Sequence, residues 1–259
     1  MTQSTTKRKT SALNINCDLG ESFGHWQLGC DDQVMPLIDC ANIACGFHGG
    51  DPSIIRQTLS LAKLHEVEIG AHVSYPDLQG FGRRSMAIRG QALIDLVHYQ
   101  LSALDGMARM NGDRIRYIKP HGALYNDMMA APDLMAEIMT AVAQWHDSID
   151  LMVLATPDAI QCQEMASTIG VTLRFEAFAD RAYTEDGHLV ARDKPGALLT
   201  MSQSVAQAKA IAIGNLTSPQ GTRLDITADS LCVHGDNFAA VQIIKAIRVA
   251  LNGLDNRKL

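Results

Sequence analysis

Residues 41–64 read ANIACGFHGGDPSIIRQTLSLAKL, and they carry one complete unit of the fold. Asn42–Cys45 is a short apolar run of the kind that forms a buried strand. Gly46-Phe47-His48-Gly49-Gly50 then breaks the run, and Asp51-Pro52 combines an N-cap residue with proline at the first helical position. Behind them Ile55, Leu59 and Ala62 recur on one face at helical spacing. The order is strand, polar loop, helix.

The same order repeats in both directions from this segment. Apolar runs recur at Leu13–Cys17, Glu68–Val73, Arg116–Lys119, Leu151–Ala155, Leu173–Phe178 and Leu231–His234. Between them lie helical patterns. Leu93, Leu96, Val97, Leu101 and Leu104 form one, stopped near Gly112, and Pro132–Trp145 forms the next. Thr156-Pro157 is expected to open another that Gly170 closes, Val205–Ile213 is helical, and Val241, Ile244, Ile247 and Leu251 mark the last. Ser218–Asp229 is an irregular excursion with a turn at Pro219-Gln220-Gly221. Strict alternation predicts βαβ units and a parallel sheet. The runs are mostly continuous rather than alternating, as strands covered on both faces should be. Seven such strands suit an open doubly wound sheet or a closed barrel, and periodicity alone leaves both standing. With no linker or composition shift, residues 12–259 read as one domain, preceded by a polar tail over 1–11 that is not a secretory signal.

Composition narrows the function. Of 259 residues, 47% are hydrophobic and only 5% aromatic, so the core is aliphatic. The formal charge of −6 argues against a nucleic-acid partner, which needs clustered Lys and Arg. No apolar run is long enough to span a membrane. Six cysteines, none in a C-x-x-C pair, point to a reduced, cytoplasmic setting, with Cys45 a small buried hydrophobe rather than a nucleophile.

The ionisable residues cluster at the carboxyl ends of the strands. The first strand runs into Asp18 and Glu21, the second into His48, the third into His72, Tyr75 and Asp77 and then Arg83-Arg84. The fourth leads into Lys119, His121, Tyr125 and Asn126, the sixth into Glu176, Asp180, Arg181 and Tyr183, and the last into His234 and Asp236. In parallel α/β folds the active site lies at that edge, because the βα loops converge there. Four of the nine histidines, His48, His72, His121 and His234, occupy such positions, which points to an enzyme. Blander roles compete: Asp51 and Asp158 as helix caps, Asp236 as cap or site residue, and Arg83-Arg84 as solvated charge. Asp18, His48 and His72 could supply an oxygen and two imidazoles to a divalent metal. There is no Walker A loop and no G-x-S-x-G elbow.

These strand-end motifs resemble the LamB/YcsF family. They are Asn16-Cys17-Asp18-Leu19-Gly20-Glu21, Ala41–His48, Gly70-Ala71-His72 through Tyr75-Pro76-Asp77, Lys119-Pro120-His121-Gly122-Ala123-Leu124-Tyr125-Asn126, Glu176–Tyr183, and Cys232-Val233-His234-Gly235-Asp236. Cys17 stands where the family has Ala and Val73 where it has Pro, and neither change removes an ionisable group. The resemblance implies a seven-stranded β/α (TIM-like) barrel, related to glycoside hydrolase and polysaccharide deacetylase barrels. It also implies the A-subunit role in a bacterial 5-oxoprolinase, which opens the 5-oxoproline lactam to L-glutamate. ATP would be consumed with two partner subunits, B and C.

The expected catalytic set is Asp18, Glu21, His48, His72, Lys119, His121, Glu176 and His234. Asp18 or Glu176 would act as general base, and Lys119 with His121 would stabilise developing negative charge. Arg83, Arg84 or Arg181 would hold the substrate carboxylate, beside Tyr125, Asn126, Asp180 and Asp236. Two competing readings are a stand-alone metal-dependent carbohydrate or amide hydrolase and a non-catalytic subunit that presents substrate.

Overall fold

The computed structural model describes residues 13–192, 194–234 and 238–255. The expected tail and Asp236 lie outside them. Among the described residues, parallel strands β1 (Asn14–Leu19), β2 (Cys40–Ala44), β3 (Glu68–His72), β4 (Tyr117–Ile118), β5 (Asp150–Leu154), β6 (Thr172–Phe178) and β7 (Ser230–Cys232) close into a barrel in sequence order. The closing pair decides between the two architectures left open by periodicity: Asn14, Ile15 and Asn16 of β1 lie opposite Ser230, Leu231 and Cys232 of β7.

Helices cover the outside: α1 (Asp31–Val34), α2 (Pro52–Leu64), α3 (Gln91–Met110), α4 (Gly122–Ala130), α5 (Pro132–Ala143), α6 (Ala159–Ile169), α7 (Met201–Ala212) and α8 (Phe238–Asp255). α2 shows why the local sequence chooses helix. The Asp51 carboxylate accepts from the amides of Ser53 and Ile54, Pro52 opens the first turn, and Ile55, Leu59 and Ala62 are buried. Each large aliphatic side chain buried in this way contributes about 1.5–3 kcal/mol. Asp51 is thus a cap, and its second oxygen also takes the amide of Gly24 at 2.8 Å. The helix expected from Thr156 begins at Ala159 instead, and Asp158 at its N-cap makes no side-chain bond. The short helix α4 carries no N-cap bond and starts from Gly122 at φ +56°, so its entry lacks the usual sequence signature.

The barrel interior is separate from the main core. Cys40, Tyr117 and Met152 form their own buried cluster inside it. Tyr117 crosses the axis against Gly70, where a Cβ would fall 2.1 Å from the ring. Arg174 plugs the amino-terminal end, pairing with Glu68 and Asp150, each at 2.9 Å, above the Tyr117 ring. With one end plugged, polar chemistry concentrates at the other. No helix among the described residues is long and apolar enough to cross a membrane, and all six cysteines are free thiols.

Candidate active site

Side chains two residues apart on a strand share a face, so β1 presents Asn16 and Asp18 inward together. Asn42 on β2 ties them, its Nδ2 donating to Asn16 Oδ1 and Asp18 Oδ1, each at 2.8 Å. Lys119, two residues beyond Tyr117, brings its ammonium 3.0 Å from Asp18 Oδ1 and 3.2 Å from Glu176 Oε2. Burial alone would lower the Lys119 pKa, but the two carboxylates outweigh it and hold the amine well above its usual range. Burial likewise opposes ionisation of Asp18, yet the neighbouring His72 ring and the Lys119 ammonium hold its carboxyl well below the ordinary value. The pair is therefore a fixed ammonium and a fixed carboxylate at the mouth of the barrel.

Beside it four side chains converge. Glu21 Oε1 lies 3.0 Å from His48 Nε2, 3.4 Å from His121 Nδ1 and 3.9 Å from His72 Nε2. His72 Nε2 and His121 Nδ1 are themselves 3.0 Å apart, and the rings of His48 and His121 stack at 3.7 Å. Burial pushes Glu21 up, and burial pushes His48 and His121 well below the usual imidazole range. Burial thus disfavours charge on Glu21, His48 and His121 alike.

Loop geometry fixes this cluster. Glu21 sits against Gly49, where a Cβ would meet the Glu21 carbonyl oxygen at 2.6 Å, so only glycine lets the two loops touch. The loop after β3 is held by Asp77, which takes the Arg84 guanidinium and the Gly80 amide. That loop presents the Phe81 carbonyl to His121, whose Nε2 donates to it at 2.8 Å.

The far wall is cationic. His234 Nδ1 bonds Asp180 Oδ2 at 2.8 Å, and an Arg192 nitrogen donates to His234 Nε2 at 2.7 Å. Arg181 is buried, donates to the Val190 carbonyl at 2.6 Å, and leaves its Nε without a partner. These walls enclose a cavity of about 410 Å³.

The expected residues divide by position. Asp18, Glu21, His72, Lys119, His121 and His234 line the cavity, as do Arg83, Tyr125, Asn126 and Arg181. Glu176 is fully buried beneath it against Lys119, His48 stands behind Glu21, and Asp180 stands behind His234. Arg84 is not brought to the cavity: Asp77 captures it on the outside of the loop, where it stays 62% exposed. A group that could hold an ion is Glu21, His48, His72 and His121, all buried; it shares His48 and His72 with the expected trio, while Asp18 lies 3.0 Å from the Lys119 ammonium and 3.3 Å from His72 Nε2. Sequence reasoning missed Phe81, Phe178 and Arg192 on the cavity wall. Phe178 had a signal, two residues beyond Glu176 on the same strand face. Arg192, in an irregular stretch, had none.

The LamB/YcsF family model matches residues 13–258. The A subunit of a 5-oxoprolinase from Pseudomonas fluorescens (strain Pf0-1) is 54% identical over 244 residues, covering 93% of this chain and 98% of the relative. Its counterpart from Vibrio cholerae serotype O1 (strain M66-2) is 48% identical over 242 residues, with 93% and 98% covered. A lactam utilization protein from Thermus thermophilus superposes with a TM-score of 0.87 at 35% identity, covering 95% of this chain and 98% of that one.

Proposed function

We propose, from the premise that the chain belongs to the LamB/YcsF family, that it is the hydrolytic A subunit of a 5-oxoprolinase, opening the 5-oxo-L-proline lactam to L-glutamate. The observation that carries this reading is the juxtaposition, in one cavity, of the Glu21–histidine cluster with the Lys119 ammonium and a cationic far wall. The chemistry of a lactam calls for these three things: a site for the attacking water, a cation for the carbonyl oxygen, and a site for the ring carboxylate.

Water held at the Glu21–histidine cluster loses its proton to Asp18, on the same cavity, as its oxygen attacks the lactam carbonyl. Lys119, kept protonated by Asp18 and Glu176, stabilises the charge that develops on that oxygen. The C–N bond then breaks and the ring nitrogen takes up a proton, giving the free amine of glutamate. Arg181 and Arg83 lie where they can hold the substrate carboxylate. Glu176 has no access to the cavity and serves Lys119 instead of water.

An unstrained amide is a poor electrophile, and ATP supplies the activation: once the lactam oxygen is phosphorylated, the first water opens the ring to an acyl phosphate and a free amine, and a second water releases phosphate and leaves the glutamate carboxylate. The chain has no Walker A loop, so this reading assigns the nucleotide to partner subunits, in the cytoplasm. The test is glutamate release from 5-oxoproline by the chain alone and with its co-purifying partners, with and without ATP. Turnover only by the full assembly with ATP is expected. Full turnover by the lone chain overturns the division of labour, and normal turnover by an Asp18→Asn, His72→Ala assembly overturns the site.

A further inference from the structure

His72 and His121 are each locked in one tautomer by the main chain. His72 Nδ1 donates to the Lys119 carbonyl at 2.8 Å, and His121 Nε2 donates to the Phe81 carbonyl at 2.8 Å. With one proton on each ring, both protons are thereby committed outward. The inward atoms, His72 Nε2 and His121 Nδ1, are then lone-pair acceptors 3.0 Å apart, and a Glu21 carboxylate oxygen, also an acceptor, faces both, while Asp18, paired with Lys119 through its other oxygen, turns Oδ2 to within 3.3 Å of His72 Nε2. Three buried acceptors converge with nothing to donate between them. Such an arrangement is repulsive unless a cation sits at its centre.

We infer that Glu21, His72 and His121 are the protein ligands of one borderline divalent cation, of the zinc or cobalt class, with a coordination position open to the cavity. The inference deepens the lactam-hydrolase reading, resting on it only for what the ion would act upon. The separations fit: a four-coordinate ion with bonds of about 2.0–2.1 Å has ligand–ligand edges of about 3.3 Å. Here the three edges are 3.0, 3.4 and 3.9 Å. Two imidazoles and one carboxylate favour a zinc-class ion over magnesium or calcium, which take oxygen ligands. A main-chain carbonyl behind each ligating imidazole is the usual outer support of such a site. All three ligand residues line the cavity, so the open position faces substrate. There the ion would supply Lewis acidity.

His48 belongs to the outer support rather than to the ligand set. Its Nδ1 is buried without a hydrogen-bond partner. Ligation through Nε2 would put the ring proton on that Nδ1 and strand a donor in the core, whereas donation from Nε2 to Glu21 at 3.0 Å strands only an acceptor. His48 therefore orients the Glu21 carboxylate and does not touch the ion. It does not line the cavity.

The experiment is a titration of the full-length chain, stripped with chelator, with Zn²⁺ and with Co²⁺, reading bound ion by elemental analysis and the visible absorption of Co²⁺. One tight ion per chain is expected. Glu21→Gln, His72→Ala and His121→Ala should lose it, while His48→Gln retains it about 10–100-fold more weakly. Because core variants can misfold, nitrogen NMR of wild-type imidazoles gives a second readout: added Zn²⁺ should shift His72 Nε2 and His121 Nδ1 and leave both outward N–H groups in place. Unchanged imidazole signals, or no stoichiometric ion, would show that a proton on the His72–His121 pair occupies the gap, and overturn the inference. Loss of the ion in His48→Gln but not in His121→Ala would overturn the ligand assignment. Neither readout needs substrate, so an ion-binding chain whose assembly releases no glutamate would sink the lactam reading and leave the metal site standing.

Discussion

The Tyr117 hydroxyl donates to Asn42 Oδ1 at 2.6 Å, in the barrel directly beneath Asp18. This bond joins the packing of the barrel to the geometry of the site. With its oxygen taken by Tyr117, Asn42 turns its amide toward Asn16 and Asp18. Tyr117→Phe keeps the ring that fills the axis but removes the donor. We expect a stability loss of about 1–3 kcal/mol, the cost of a buried group left unpaired. Glutamate release by the assembly should lose kcat more than KM, because Asp18 is misaligned while the carboxylate-binding wall is untouched. Unchanged kcat with the expected stability loss would mean that Asp18 needs no support from below.

Lys119 is a single cation shared by two buried carboxylates, Asp18 at 3.0 Å and Glu176 at 3.2 Å. Lys119→Met leaves both without a counter-charge, and breaking a buried pair in this way costs about 3–5 kcal/mol. Adding Glu176→Gln removes one of the stranded charges, so the double variant should be more stable than Lys119→Met alone. Urea midpoints of the two variants check the order. Activity should be absent in both, since Glu176→Gln restores no ammonium.

Gly82 is enclosed on both sides by the histidine cluster. A Cβ there would lie 2.8 Å from His121 Cδ2 and 2.9 Å from His48 Cβ, on a backbone at φ +63°. Gly82→Ala therefore combines left-handed strain with overpacking, about 1–3 kcal/mol for each. Gly90, at φ +59° with no atom within 4 Å of its Cβ position, supplies the control. Gly90→Ala bears the backbone strain alone. Only Gly82→Ala should impair activity, and equal impairment would place the sensitivity in the backbone rather than in the imidazoles.

The alternation of strands and helices was legible because each run is apolar and each helix is marked by proline, glycine or helical periodicity. Closure was not: nothing in the local pattern of Asn14–Leu19 announces that β1 pairs with β7. The site was legible as a set of strand-end ionisable residues, but its internal partition was not. Asp18 and Glu21 are three residues apart and look interchangeable as ligands, yet Lys119, 101 residues beyond Asp18, pairs with Asp18, while Glu21 faces His48 and His121. Arg84 beside Arg83 presents the same difficulty, since only the folded loop shows that Asp77 captures one of them. Spacing of two along a strand, as in Glu176 and Phe178, was the signal that could have separated inward from outward residues.

The Asp77–Arg84 pair gives the loop after β3 a pH dependence whose direction follows from its pKa. The Arg84 guanidinium, assisted by the Gly80 amide, holds the Asp77 carboxyl at about 2. An unfolded Asp titrates near about 3.9. A depressed acid stabilises the fold above the unfolded pKa, and that stabilisation is lost as pH falls through the folded one. The contribution of Asp77 should therefore be complete at neutral pH and disappear between about pH 4 and about pH 2. Arg84 is 62% exposed, so solvent screens the pair and the effect on global stability is small. The sensitive quantity is the local one, since the Asp77 carboxylate also takes the Gly80 amide, beside the main-chain bond from the Gly82 amide to the Asp77 carbonyl, in the loop that sets the Phe81 carbonyl against His121. Asp77→Asn should lower the urea midpoint at pH 7 and converge on wild type as pH is lowered toward 3. Amide hydrogen exchange over residues 78–84 should be faster in the variant at pH 7. A midpoint difference that stays constant across this range would show that the main-chain bonds, and not the ion pair, hold the loop.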